Sequence, residues 1–239
     1  MNEFRRLFGA EKREIKTTCV LLPFFRKEIL RFLGVKKISR GKLYGVGKAS
    51  HFTVIHTGMG AVFLGDAVLH LKETACRQLI LFGACGLIAG RKELGIGSLV
   101  SPTKCYASES FSRMLSETDE PRPEFYPDRE LQSRFLSRAE PAGVKEVVAL
   151  SVGSLKLQEE RLDSLRREGA EVVDLECAAF FAAARATGRS ALALLFITDV
   201  VGEKPYYRRL SVREKLALLK KIRRGGRLIC GFIKENRGD

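Results

Sequence analysis

Two carboxylates stand in this sequence where burial could tune them for proton transfer. Asp199 comes just after the apolar run Ala191–Ile197. An acid emerging from a sheet core is partly desolvated, which raises its pKa towards the range of a general acid working near neutrality. A turn or helix cap is the plainer role for one such residue. Glu176 heads the small-residue stretch ECAAFFAAARATG, with Asp174 and Leu175 just before it. A helix dipole there would favour a carboxylate, and small side chains would let a ligand approach closely. Glycine-rich turns follow two other apolar runs: Thr57-Gly58-Met59-Gly60 after Phe52–His56, and Gly83-Ala84-Cys85-Gly86 after Gln78–Phe82. Such turns expose backbone N–H groups to an anion or a sugar. They do not make a dinucleotide site. Gly65 falls two residues late for G-x-G-x-x-G, and the next strand ends in Leu81-Phe82-Gly83 without an acid.

The elements that must position these residues alternate along the chain. Short apolar or β-branched runs (Thr17–Leu22, Phe52–His56, Gln78–Phe82, Val147–Val152, Val172–Val173, Ala191–Ile197) are interleaved with stretches of helical period. Those stretches are Phe25–Phe32, Val62–Thr74, Glu159–Arg167, Glu176–Ala186 and Val212–Lys234. The pattern predicts a single α/β domain over 1–239, in three α/β/α layers around a central, mixed and largely parallel sheet. In such sheets ligands bind beyond the C-terminal strand ends, which is where every turn and acid above falls. Lys42–Thr57 reads as a hairpin with Gly45 and Gly47 in its turns. Tyr106–Arg129, polar and containing Pro121, Pro123 and Pro127, reads as a long loop.

Composition narrows the function classes. The 239 residues carry 42 Lys+Arg against 28 Asp+Glu, a formal charge of +14, with 45% hydrophobic residues. That is a globular balance. No run approaches the ~20 apolar residues of a membrane span, and the charged first sixteen residues lack the pattern of a secretory signal. Six scattered cysteines without a C-x-x-C pair, and three dispersed histidines, predict a reduced, cytoplasmic protein with no metal site. The densest basic run, Arg213–Arg227, has Leu216, Leu218, Leu219 and Ile222 at helical spacing, so its charges read as the wet side of an amphipathic helix. No stacking aromatics are interleaved with it, which argues against nucleic acid as a partner.

Five blocks, CVLLP, HTGMGA, LILFGACGLIAGRKELGIGSLV, SVGSL and EGAEVVDLECAAFFAAARATGRSALALLFITD, occur in this order over nearly the whole chain. Together they resemble the purine nucleoside and uridine phosphorylases and the methylthioadenosine/S-adenosylhomocysteine nucleosidases. YASESFSRML…EFYPDREL is similar to the substrate-contacting region of the uridine phosphorylase branch. The resemblance implies that Asp199 protonates the departing base and that Glu176 binds the ribose hydroxyls. Leu175 would lie under the sugar, Asp174 would match a second acid of some members, and Thr57, Gly58, Ala84 and Gly86 would line the site. Leu155 is the nearest match to the aromatic that covers the base, and Gly153 replaces a common acid.

Two departures bear on the co-substrate. Leu81 and Ala84 stand where the phosphorylases hold phosphate with an arginine and a serine. Glu28 stands where the nucleosidases have the glutamate that activates water, with Arg26 and Lys27 beside it. Losing a guanidinium and a hydroxyl removes charge-assisted bonds worth roughly 1.5–3 kcal/mol each. The expectation is a cofactor-free hydrolase of a purine nucleoside or a 5′-substituted analogue, with Asp199 and Glu28 catalytic and water as co-substrate. The alternatives are a phosphorylase with a rebuilt phosphate site and a nucleoside-binding protein without catalysis. The resemblance also implies a homo-oligomer, a dimer or a hexamer.

Overall fold

The computed structural model describes residues 3–24, 26–88, 91–108, 123–167 and 169–236. The strands are β1 (Thr18–Leu22), β2 (Ile38–Arg40), β3 (Gly45–Lys48), β4 (Thr53–His56), β5 (Gln78–Leu87), β6 (Leu99–Ser108), β7 (Glu124–Phe125), β8 (Lys145–Val152), β9 (Val172–Asp174) and β10 (Ser190–Val200). The helices are α1 (Glu3–Phe8), α2 (Lys27–Phe32), α3 (Ala61–His70), α4 (Arg129–Ala139), α5 (Leu155–Glu160), α6 (Leu162–Arg167), α7 (Cys177–Ala186) and α8 (Val212–Glu235).

The strands form one sheet in the order β10-β6-β8-β9-β5-β1-β4-β3-β2, with β7 added to β6. Strands β4, β1, β5 and β10 run parallel to one another, as do β6, β8 and β9, and antiparallel ladders join the two sets. Because β10 also pairs with β5, the strands β10-β6-β8-β9-β5 close into a ring. This is a finding beyond the expected layered sheet. It draws the ends of β5, β9 and β10 together, with Gly86 paired to Val173 on one side and Asp199 on the other.

Side-chain alternation splits the core, as strand geometry requires. Cys19 and Leu21 of β1, with Ala191, Ala193, Leu195 and Ile197 of β10, pack towards α1, α3 and α7. Val20, Leu22, Leu192, Leu194 and Phe196 pack towards α2, α4 and α8. A smaller cluster lies under α5 and α6. Helix α8 comes close to the sheet at Gly225, where an added Cβ would lie 3.1 Å from the Phe82 ring.

Several sequence expectations change. Gly45 and Gly47 are not turn residues. They lie within β3, where a Cβ would meet the side chains of Ile38 and Val35 at 2.7 and 2.6 Å. The stretch read as a loop over 106–129 begins with the end of β6 and closes with β7, which pairs with β6 through Cys105–Phe125 and Tyr106–Glu124. Residues 109–122 lie outside the described ones. Leu216, counted on the buried face of α8, is 63% exposed, while Leu218 and Ile222 are buried. No described helix is long and apolar enough to cross a membrane.

Candidate active site

Beyond the ends of β5, β9 and β10 lies a cleft of about 210 Å³. Its acids are Asp174, Glu176 and Asp199, and its apolar walls include Phe24, Met59, Leu155 and Leu175. Ala84 and Gly86 form part of its floor. The structure thus brings together Asp174, Leu175, Glu176, Ala84, Gly86, Leu155 and Asp199.

Asp199 is 6% exposed. Burial pushes its carboxyl above the ordinary value, partly offset by the Thr198 hydroxyl, which donates to Oδ1 at 2.6 Å. A shift in β10 register makes the approach possible. Ile197 pairs with Cys85 but Asp199 pairs with Gly86, so Thr198 is an extra residue, a β-bulge that re-aims its neighbours. Only a glycine fits opposite. A Cβ on Gly86 would lie 2.9 Å from Asp199 Oδ2 and 3.0 Å from Val201.

Glu176 is 5% exposed, and burial together with the nearby Asp174 charge pushes it up to about 8. Its Oε1 accepts the Gly60 N–H at 2.6 Å, which partly counters the rise. Gly60 has φ +102°, a backbone state that strongly favours glycine, and its N–H reaches the carboxylate in that state. Glu176, at the head of α7, could cap its own helix. It occupies the N-cap position, but its side chain makes no cap bond. Asp174 does that work instead. Its Oδ2 accepts the N–H groups of Glu176 and Cys177 at 3.1 and 2.6 Å, and its Oδ1 accepts the Ser151 hydroxyl at 2.6 Å. Ser151 Oγ in turn accepts the Ala178 N–H at 2.8 Å. This network ties β8, β9 and α7 together and frees the Glu176 carboxylate for the cleft.

Three expected residues lie elsewhere. Thr57 is buried below the turn and its hydroxyl donates to the Gly58 carbonyl at 2.9 Å, so neither residue lines the cleft. Glu28 is exposed on the first turn of α2 and lines a neighbouring cavity of about 410 Å³. That cavity shares Thr198 and Tyr206 with the cleft.

Residues that sequence reasoning passed over supply what Leu155 lacks. Phe24 and Tyr206 bring aromatic surface to the cleft, and Phe24 is held edge-on against Phe196 with ring centroids 5.6 Å apart. Gln158, 4% exposed, also lines the cleft, and its amide makes no side-chain hydrogen bond among the described residues. A polar residue shortly after the SVGSL strand was the available signal for it.

A ring of strands whose ends gather buried acids around a small apolar-walled cleft defines the α/β fold and its candidate active site. The chain belongs to the phosphorylase superfamily, whose family model matches residues 9–223. Solved structures share the fold. The Helicobacter pylori 5′-methylthioadenosine/S-adenosylhomocysteine nucleosidase is 18% identical with TM-score 0.72, over 92% of this chain and 99% of that one. A futalosine hydrolase mutant from Helicobacter pylori strain 26695 is 15% identical with TM-score 0.73, over 92% and 100%. The Vibrio fischeri uridine phosphorylase is 17% identical with TM-score 0.74, over 95% of each chain. No curated protein sequence matches at a significant level.

Proposed function

We propose that the protein cleaves the N-glycosidic bond of a purine nucleoside or a 5′-substituted analogue by hydrolysis. The observation that carries this reading is the pair Glu176 and Asp199, two buried acids with raised pKa values in one cleft. Burial raises the Asp199 carboxyl, which suits it to deliver a proton. As the C–N bond breaks, its electron pair goes to the base, and the base takes the Asp199 proton. Glu176 accepts hydrogen bonds from the ribose hydroxyls, and the Gln158 amide reads the base edge. Water adds to the anomeric carbon, and its proton passes by way of solvent to Glu28 in the adjoining cavity, which shares Thr198 and Tyr206 with the cleft, leaving free base and free sugar. Ala84 offers no hydroxyl and Leu81 is buried in the sheet, which favours water over phosphate as the acceptor. No cofactor is called for.

The experiment is a nucleoside panel incubated with and without phosphate, with free base and the sugar product measured, for the wild type and Glu28→Gln. Hydrolysis predicts phosphate-independent release of free sugar and a loss of rate in Glu28→Gln with nucleoside binding kept. A Glu28→Gln protein that works only with phosphate, giving sugar 1-phosphate, would overturn it. One observation favours that second reading: cationic side chains crowd the cavity that holds Glu28.

A further inference from the structure

Helix α8 carries two patterns on its outer side. Val212, Leu216, Leu219 and Arg223 follow one another at i, i+4, i+7 and i+11, so they form a single stripe along the helix. Val212 and Leu216 are 75% and 63% exposed, and Leu219 is half-buried. The core takes another side of the helix, through Leu218, Ile222 and Ile229. Leu219 shares a cavity wall with Tyr206 and Tyr207, which sets the turn before α8 against this stripe. Both rings are exposed. Four large exposed side chains thus fall within residues 206–216. Hydrophobic residues scattered singly over a surface are ordinary, but a cluster of them marks an interaction surface. The second pattern is charge. No acid occurs from Lys215 to Lys234. Arg209, Arg213, Lys215, Lys220, Arg223 and Arg227 are exposed around the stripe and have no ion pair among the described residues.

An apolar ridge inside a basic field is complementary to the surface of an anionic bilayer. There aliphatic and tyrosine side chains reach the boundary of the acyl chains, while Lys and Arg meet the headgroup charges. The net charge of +14 adds a long-range attraction to such a surface. A second copy of the chain fits poorly, because a two-fold contact would set one basic face against another. Single-stranded nucleic acid would use the charges but would stack its bases on open ring faces. Tyr206 and Tyr207 instead pack edge-on against each other, with ring planes 80° apart, and Val212 and Leu216 offer a base no hydrogen bond. We infer that this face of α8, with the turn before it, docks on a membrane surface containing anionic phospholipid, and that Tyr207, Val212 and Leu216 enter the headgroup layer. The surface lies outside the catalytic cleft, so the inference does not depend on the cleavage reading.

The test is co-sedimentation of the full chain with two kinds of vesicle, phosphatidylcholine alone and phosphatidylcholine with about 30% phosphatidylserine. The expected result is binding to the anionic vesicles on the order of tenfold or more stronger than to the neutral ones, weakening as salt rises. Arg213→Glu/Lys220→Glu/Arg227→Glu should abolish the difference, and Arg213→Lys/Lys220→Arg/Arg227→Lys should keep it. None of these residues touches the cleft. Equal binding to both vesicles, or a glutamate variant that still binds the anionic ones, would overturn the inference. Insertion is read separately, without the charge variants. The chain has no tryptophan, so Leu216→Trp places a single fluorescent reporter on the ridge. Its emission should move to shorter wavelength on anionic vesicles and be quenched by brominated acyl chains. Sedimentation with no change in emission would mean adsorption by charge alone, and the proposed docking would fail. A single-stranded RNA oligonucleotide that the wild type retains while ignoring both vesicles would give this face to nucleic acid and overturn the membrane assignment.

Discussion

The cleft and the cavity beside it share Thr198 and Tyr206 but handle charge in opposite ways. In the cleft, Asp174, Glu176 and Asp199 are buried, hydrogen-bonded to neighbours, and, for Glu176 and Asp199, raised in pKa by desolvation. In the cavity, Arg26, Lys204, Arg209 and Lys215 are exposed and without ion pairs among the described residues. Burial changes what a group can do chemically, because it moves the protonation equilibrium. Exposure leaves the charge intact and changes only what the surface attracts. The two neighbouring spaces therefore differ chiefly in how far their charged groups reach solvent.

The contrast is tested most severely at Asp199. Asp199→Asn keeps the shape but holds no transferable proton, so base release should fall by about 10²–10⁴-fold, with nucleoside affinity retained. Asp174→Ala comes next. It removes two bonds from the first turn of α7 and the acceptor for Ser151, so chemical denaturation should report a loss of roughly 2–3 kcal/mol. A surface acid would lose far less.

The pH dependence of stability is a gentler test. Glu176 lies at about 8 in the folded protein, against an ordinary 4.5. Between these values the native state holds a proton that the unfolded state has released. Its contribution is therefore full below about 4.5 and is lost as pH rises towards about 8. The denaturant midpoint should fall across that window and should fall less steeply in Glu176→Gln. Asp199, also raised, supplies part of the remaining slope. The smallest effect belongs to the cavity. Lys215→Ala should change stability by no more than about 0.5 kcal/mol, since the side chain is exposed and has no ion pair among the described residues. A loss as large as that of Asp174→Ala would erase the contrast.

Much of this arrangement was legible in the sequence, because the acids and glycines stand directly after apolar runs. Asp199, Glu176, Gly86 and Ala84 were found that way. What escaped had mixed patterns. Strand β6 contains Pro102 and Lys104, and its ladder with β8 shifts register there, so it shows no continuous apolar run. Helix α4 buries Leu131, Phe135 and Ala139, a four-residue spacing hidden among arginines, and its N-cap Asp128 follows Pro127. Helix α1 buries only Phe4 and Phe8 in an otherwise charged segment. Ring closure left no local signal, since β10–β5 pairing depends on the whole fold. Glu28 was placed by resemblance alone, and no pattern in its own helix could report that a second cavity lay between it and Asp199.

The closed ring also has a consequence in time. Strand β5 is synthesised early, whereas its partner β10 is among the last elements to be made. Until β10 arrives, one edge of β5 and one edge of β6 have no partner, and such edges invite pairing with other chains. The contacts that close the ring are distant in sequence, a class that forms slowly during folding. Gly86 therefore waits through nearly half of translation for Asp199, and any chain that stops short of β10 is left with open strands and without Asp199.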